Sequence, residues 1–420
     1  MSNSLVDPLD DPIVITGIGL IASVGNDRET VWRHCCAGHS GVRRLEGLLC
    51  IPDGLLIGAP AQVDPDVPRR MKVTSLCQTA AAEAVDDARL DFGRLDLDRF
   101  GCAIGGHMGD TGYVESLFGL YQDQEPESIP WWAQWMPNTS CVAVANRFGL
   151  RGPRICHSTA CATGLIEILA GVRAIRDGQC DIALVGSGDY FHPLFAAGFA
   201  QMRVLAEHDD PPKACRPFDI ARNGFVMGEG AAIMVIERLS HARRRGAPHI
   251  YAEFLGSAMH AEAHHVTSLD EECAALAHLI EHTLQKSQLA PSDIDYINVH
   301  GTGTLQNDVV ETRAIRRALG PSADKLCVSA TKSMLGHLVN ASGSVELALT
   351  ALSLRDGFAH PTANLTHPDP ECDLDCVPLV GRPCAMEHAL KVSVAFGGHL
   401  VATVLRRWPE AQAREITLAA

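Results

Sequence analysis

Cys161 lies in Ser158-Thr159-Ala160-Cys161-Ala162-Thr163-Gly164, between an apolar run ending near Ile155 and a long apolar segment from Leu165 to Ile175. The pattern predicts a strand that delivers a thiol to the first turn of a helix. There the helix dipole and unpaired N–H groups favour thiolate over thiol, which makes Cys161 a candidate nucleophile. A free cysteine is also a common small hydrophobe of protein interiors, so the assignment depends on what else the chain offers. Two histidine segments lie downstream. Val299-His300-Gly301-Thr302-Gly303-Thr304 is expected to follow a strand, and Ser329-Ala330-Thr331-Lys332-Ser333-Met334-Leu335-Gly336-His337 to open a helix. Histidine at a strand end, beside glycines that let a substrate approach the backbone, suits hydrogen bonding to a developing oxyanion. It is the combination of one thiol with two such histidines that stands out.

The elements that must position these residues can be read in order. Ile13-Val14-Ile15-Thr16 is a β-branched strand ending at Gly17-Ile18-Gly19. That turn lacks the third glycine of a dinucleotide fingerprint, so no such site is assigned. Val73 to Leu90 has helical spacing and several alanines, Phe100 to Gly106 reads as a buried strand, and Asp181 to Val185 and Ala231 to Ile236 are further strands. In the second part, strands are expected at Tyr251 to Leu255, Tyr296 to Val299, Cys327 to Ser329 and Val392 to Val394. In both parts a strand runs into a small-residue turn and a long apolar helix, Ile155 to Ile175 in one and Val328 to Leu354 in the other. This order implies a duplicated α/β architecture, a parallel-rich sheet covered by helices on both faces, with one unit over residues 1–255 and a second over 256–420.

Composition narrows the function classes. With 420 residues, 46% of them hydrophobic, the chain can bury a large core. A net charge of −15 argues against nucleic-acid binding, which needs clustered Lys and Arg. Met1 to Pro12 holds three aspartates and no basic residue, unlike a signal peptide, and no apolar run reaches the length of a membrane span. A cytoplasmic location is the default expectation. The fifteen cysteines are odd in number, scattered and without a CxxC pair, so neither a disulfide framework nor a zinc ribbon is indicated. Cys372, Cys376, Cys384 and His367 match no standard ligand spacing, and no metal or cofactor is expected. Arg69, Arg70 and Lys72 form a small basic cluster where an acidic partner could dock. Trp131, Trp132 and Trp135 suggest a loop that meets a partner subunit or lines a tunnel, or a local surface cluster.

Taken in order, the Cys161, His300 and Lys332-to-His337 segments resemble the elongating β-ketoacyl-acyl carrier protein synthases, Cys-His-His condensing enzymes of the thiolase superfamily. The resemblance runs from Ile13 to about Val404 and includes Gly149-Leu150-Arg151-Gly152-Pro153, the Arg216 to Gly230 stretch, Asn307-Asp308 and Phe396-Gly397-Gly398. It implies a thiolase-like fold of duplicated βαβαβαββ halves in a five-layered αβαβα arrangement. It also implies a decarboxylative Claisen condensation in fatty-acid biosynthesis. Cys161 would take an acyl group from a carrier-protein thioester, with the N–H groups of Cys161 and Phe396 as the oxyanion hole. His300 and His337, as neutral imidazoles donating from Nε2, would hold the malonyl thioester carbonyl. Lys332 would act electrostatically at His337 and pair with Glu311, with Asp308 in support. Thr302 and Thr304 would hold the pantetheine arm, Met108 and Phe199 would face the acyl chain, and the partners would be an acyl carrier protein and a second copy of the chain. The strand near Ile155 would be the edge that pairs in the dimer.

Three departures from the family pattern bear on function. The closing motif reads Ser393-Val394-Ala395-Phe396-Gly397-Gly398-His399-Leu400, so Ala395 replaces a glycine and should stiffen the gating loop. Some members bind a structural monovalent cation at positions that fall here on Asn298, Glu346, Lys391 and Val392. The expectation is that the Lys391 ammonium takes the cation's place against Glu346. His107 and Met108 stand where small and branched residues are usual, which bears on acyl length. The alternative readings are a discrete ketosynthase of type II polyketide or specialised lipid synthesis, and a noncatalytic subunit like a chain-length factor. Retention of Cys161, His300, His337 and Lys332 disfavours the last. The lysine-containing second histidine segment disfavours thiolases and the priming Cys-His-Asn synthases.

Overall fold

The computed structural model describes residues 11–46, 53–63, 72–106 and 136–409. Met108, Arg69, Arg70, His107 and the three tryptophans at 131, 132 and 135 therefore lie outside the described residues. The main sheet contains β1 (Ile13–Ala22), β2 (Phe100–Gly106), β3 (Arg154–Ile155), β4 (Ile182–Asp189) and β5 (Gly230–Arg238) from the first part of the chain. The second part supplies β6 (Ala252–Ala261), β7 (Tyr296–Asn298), β8 (Cys327–Ser329), β9 (His388–Ala395) and β10 (His399–Arg407). Their spatial order is β8-β7-β9-β10-β6-β1-β5-β4-β2-β3.

Read outward from the β6–β1 contact, the two sets of five strands follow the same plan. In each, the first strand pairs antiparallel with the fifth and the fifth antiparallel with the fourth. The fourth pairs parallel with the second, and the second parallel with the third. The duplication is thus explicit in the topology, but the sheet is mixed rather than parallel-rich. Return strands β5 and β10 follow their neighbours as antiparallel partners, and β10 was not among the strands expected from the sequence. Within the sheet, the halves join through two register pairs, Val14 with Glu253 and Ile15 with Ala252. The boundary expected at 255/256 falls inside β6. At the opposite end β3 is an edge strand, paired among the described residues with β2 alone.

Every residue of β1, β4 and β5 is buried, because helices cover both faces of the sheet and leave no face for polar alternation. Helices Thr163–Arg176 and Ser342–Asp356 pack against each other and against strands of both halves, forming the middle of five layers. The second is buried at all but its last residue, as a helix enclosed on all sides must be. Outer helices Lys72–Asp87 and Thr139–Phe148 cover the first half, and Ala274–Ser287 with Leu305–Leu319 covers the second. Among the described residues, no helix is long and apolar enough to cross a membrane.

The N-termini of the two central helices meet through glycine. A Cβ on Gly164 would stand 2.5 Å from Ser187 Oγ and 2.6 Å from the Ser344 nitrogen, and one on Gly343 would stand 2.7 Å from the Leu165 nitrogen. Only a residue without a side chain allows this approach, and it brings the Cys161 turn against the loop that follows His337.

Candidate active site

Cys161 occupies a 3-10 turn, Ala160–Ala162, immediately before the helix that starts at Thr163. Ala160 takes φ +48°, a left-handed conformation that a non-glycine residue adopts at a cost of about 1–3 kcal/mol. The turn is held by the Thr159 N–H donating to Thr163 Oγ1 at 2.8 Å, and Thr163 Oγ1 in turn meets Asn340 Oδ1 at 3.0 Å. Asn340 lies just beyond His337 in the chain, so one polar chain ties the thiol's turn to the second histidine segment. The expected thiolate is not favoured here. Burial pushes the Cys161 thiol up to about 12, outweighing the pull of the Lys332 ammonium and of its own N–H. The resting group is a thiol, whose proton must leave as the sulfur attacks.

His300 follows β7, and His337 lies in the loop after a single helical turn, Lys332–Leu335. The long helix begins only at Ser342. The helix that the Ser329-to-His337 segment was expected to open is therefore interrupted, because Gly336 at φ +70° ends the first turn. The two rings stand edge to face, with centroids 5.4 Å apart, and Phe225 packs on His337 at 4.9 Å.

Hydrogen bonds assign both tautomers. The Val339 N–H donates to His337 Nδ1 at 3.1 Å, and Ser342 Oγ lies 2.9 Å from the same nitrogen. Val339 has φ +42°, an unusual conformation for a β-branched residue, and it is this turn that presents its N–H to the ring. The Lys332 ammonium lies 3.3 Å from His300 Nδ1 and donates to the His300 carbonyl at 2.5 Å. An Nδ1 that accepts leaves the proton on Nε2 in each ring. Burial, reinforced by Lys332, holds both imidazoles well below their ordinary pKa, so both are neutral donors.

The expected partner of Lys332 is corrected. Its ammonium pairs with Glu346 Oε1 at 2.6 Å, not with Glu311; it lies against His300 Nδ1 and, as expected, also acts electrostatically on His337, whose pKa it helps to lower. Glu311 instead accepts the N–H groups of His300 at 2.6 Å and Gly301 at 2.8 Å, and burial holds its carboxyl up at about 7. Asp308 accepts from the N–H groups of Phe218 at 2.8 Å and Gly303 at 3.1 Å, which fixes the glycine loop after His300. Lys391 is wholly buried, with its ammonium 2.7 Å from Glu346 Oε2, the contact expected of it.

A cavity of about 160 Å³ is lined by Cys161, His300, His337, Thr302, Thr304, Phe199 and Phe396. All of these were singled out from the sequence. Val204, Phe225, Thr267, Leu269, Gln306, Asn307, Val394 and Ala395 complete it and were not assigned to the site beforehand, nor were Ser342 and the Val339 N–H. Asn307 and Phe225 lay in stretches that carried the resemblance, and Val394 and Ala395 in the closing motif. The others carry no local signal. Ala395 ends β9, and the positive φ angles of the closing turn fall on Gly397 and Gly398. Lys72, expected in the docking cluster, is ion-paired with Glu229, whose carboxylate also accepts the N–H groups of Ala61 and Phe191.

Comparison with known proteins gives the family. Residues 61–242 match the β-ketoacyl synthase N-terminal domain and residues 251–366 the C-terminal domain. The chain belongs to the β-ketoacyl synthases. It is thus an acyltransferase that forms a carbon–carbon bond by condensation. This synthase is 38% identical to a putative polyketide β-ketoacyl synthase 1 of Streptomyces halstedii, over 94% of this chain and 97% of that protein. It is 36% identical to the 3-oxoacyl-[acyl-carrier-protein] synthase 2 of Coxiella burnetii, over 94% and 98%. Among solved structures, it superposes with a TM-score of 0.87 on a type II polyketide ketosynthase complexed with its acyl-carrier protein and bound to a hexaketide. That match has 32% identity and covers 95% of this chain and 99% of the other.

Proposed function

We propose that this synthase elongates acyl chains carried by an acyl carrier protein, using malonyl-carrier protein as extender, in fatty-acid biosynthesis. The Cys161 sulfur attacks the acyl thioester carbonyl, its proton passes to the departing carrier thiol, and an S-acyl cysteine remains. Malonyl thioester then enters with its carbonyl oxygen facing the Nε2–H groups of His300 and His337. The bond to its carboxylate breaks, CO2 leaves, and the electron pair becomes an enolate whose charge the two neutral donors hold. The enolate carbon attacks the acyl carbonyl, the Cys161 sulfur departs, and a proton restores the thiol. Neutral imidazoles suit this role because an imidazolium would stabilise the malonyl ground state as well as the enolate.

The observation that carries the choice of chain is the wall of the cavity. Phe199, Val204, Phe225, Leu269 and Phe396 give it apolar surface, beside the polar side chains of Thr267, Gln306 and Asn307 and those of Cys161, the two histidines, Thr302 and Thr304. A fully reduced alkyl chain leaves no polar group of its own unpaired against the apolar part of this wall, whereas each ketone of a polyketide chain buried there would need a donor. The second reading, a type II polyketide ketosynthase, is favoured by the similar identity to relatives of that kind. We also infer a homodimer formed through the β3 edge.

Purified chain, offered radiolabelled alkanoyl-carrier proteins of graded length, should become labelled, while the Cys161→Ala variant should not. Condensation with malonyl-carrier protein should follow without an added subunit. Condensation that requires a second, different subunit, or that accepts only β-keto chains, would replace the fatty-acid reading with the polyketide one. Absence of labelling would overturn the role of Cys161.

A further inference from the structure

Two lysines share one carboxylate beneath the active site. Lys332 takes Glu346 Oε1 at 2.6 Å and reaches His300, while Lys391 stands 2.7 Å from Glu346 Oε2. Both ammonium-bearing residues are wholly buried. Three peptide carbonyls also converge on the Lys391 ammonium: Asn298 at 3.5 Å, Val299 at 3.3 Å and Val392 in a shorter contact. One carboxylate oxygen and three carbonyl oxygens aimed at a common centre form an all-oxygen cage of the type that suits a hard cation. In this chain a tethered ammonium fills it.

The cage reaches the reacting groups through a single peptide unit. The carbonyl of Val299 and the N–H of His300 are the two ends of the same peptide bond. Lys391 holds the carbonyl end, and Glu311 holds the N–H end at 2.6 Å. The next carbonyl, that of His300, is held by Lys332 at 2.5 Å. The backbone of His300 is thus fixed on three successive polar groups by charged side chains that never touch the cavity. Without the Lys391 side chain, the three carbonyls would lose this donor and Glu346 would be free to turn wholly toward Lys332. The Lys332 ammonium would then be drawn off His300 Nδ1, and the Nε2–H tautomer would lose its anchor.

We propose that Lys391 is a positioning residue that acts as a built-in cation, pinning the Val299–His300 peptide and dividing Glu346 between two lysines so that His300 keeps its reactive orientation. The proposal rests on the condensation activity of the family, not on the pathway in which the synthase works.

The test compares wild type, Lys391→Ala and Lys391→Met in potassium chloride and in tetramethylammonium chloride of equal ionic strength. Malonyl-carrier protein decarboxylation and the melting temperature are both measured. Wild type should be indifferent to the salt in both readouts. Lys391→Ala opens the cage, so its rate should fall about tenfold or more in tetramethylammonium and recover in potassium, and its melting temperature should rise only with potassium. Lys391→Met fills the space without charge and should stay slow in both salts. A Lys391→Met enzyme within about twofold of wild type overturns the proposal. So does a Lys391→Ala chain that ignores potassium in both readouts, or a wild type that itself needs potassium. Should Lys391→Ala fail to fold in tetramethylammonium, folding rescued by potassium supports the proposal, and failure in both salts overturns it. The melting readout is independent of activity, so an error in the assigned substrate would leave it intact.

Discussion

Acidification should weaken this protein through histidines that the fold keeps neutral, and His360 allows the effect to be worked out. Its ring is wholly buried, with Nδ1 3.1 Å from the Pro361 carbonyl and Nε2 3.2 Å from Thr331 Oγ1. Nδ1 therefore carries the proton and Nε2 accepts, leaving no place for a second proton. Burial lowers its pKa from 6.5 to about 4. Above pH 6.5 neither the folded nor the unfolded ring binds that proton, and stability is unaffected. As pH falls below 6.5 the unfolded chain takes up a proton that the folded one refuses, so stability is lost until the folded ring titrates near 4. With about 1.4 kcal/mol for each pKa unit, the loss from His360 alone is about 2 kcal/mol at pH 5 and approaches about 3 kcal/mol below pH 4. A glutamine can donate to the Pro361 carbonyl and accept from Thr331 without titrating. Urea unfolding of wild type and His360→Gln at pH 7, 6 and 5 should therefore show a shallower acid decline in the variant, by about 2 kcal/mol at pH 5. Parallel declines would refute the reasoning. The catalytic rings obey the same sign: because His300 and His337 are held well below 6.5, decarboxylation should not lose half its rate at the ordinary imidazole pKa.

Three further outcomes follow from the packing. Glu346→Gln leaves two buried ammonium groups without their carboxylate and should cost about 3–5 kcal/mol in denaturant unfolding, with loss of activity beyond the loss of fold. Gly164→Ala places a methyl against Ser187 and the Ser344 backbone; it should cost at least about 1–3 kcal/mol and slow acylation of Cys161, read by a thiol alkylation rate and a melting curve. Lys72→Ala should lower stability by about 2 kcal/mol, by stripping Glu229 of its counter-ion, while leaving the KM for carrier protein unchanged. A raised KM with unchanged stability would instead restore Lys72 as a docking residue.

The sequence by itself determined the chemistry-bearing types and the duplicated plan. Cys161, His300 and His337 stand in short segments whose glycines and flanking apolar runs are local signals, and local signals are legible without coordinates. The continuous apolar runs of β1, β4 and β5 likewise announced a sheet covered on both faces. The contact of Lys391 with Glu346 was expected from the resemblance, whose cation positions fall on both residues. What only the tertiary structure decided is which partner each charge takes. Lys332 lies closer in sequence to Glu346 than to Glu311, but sequence distance does not choose between them, and the outcome depends on which helix enters the space beside His300. The mixed rather than parallel-rich sheet followed from the return of β5 and β10 beside their neighbours, a pairing that the strand sequences do not encode. The protonation of Cys161 reversed the local expectation, because a helix start favours the thiolate only where water or a close cation shares the work, and desolvation prevails when folding closes the second half over the sulfur.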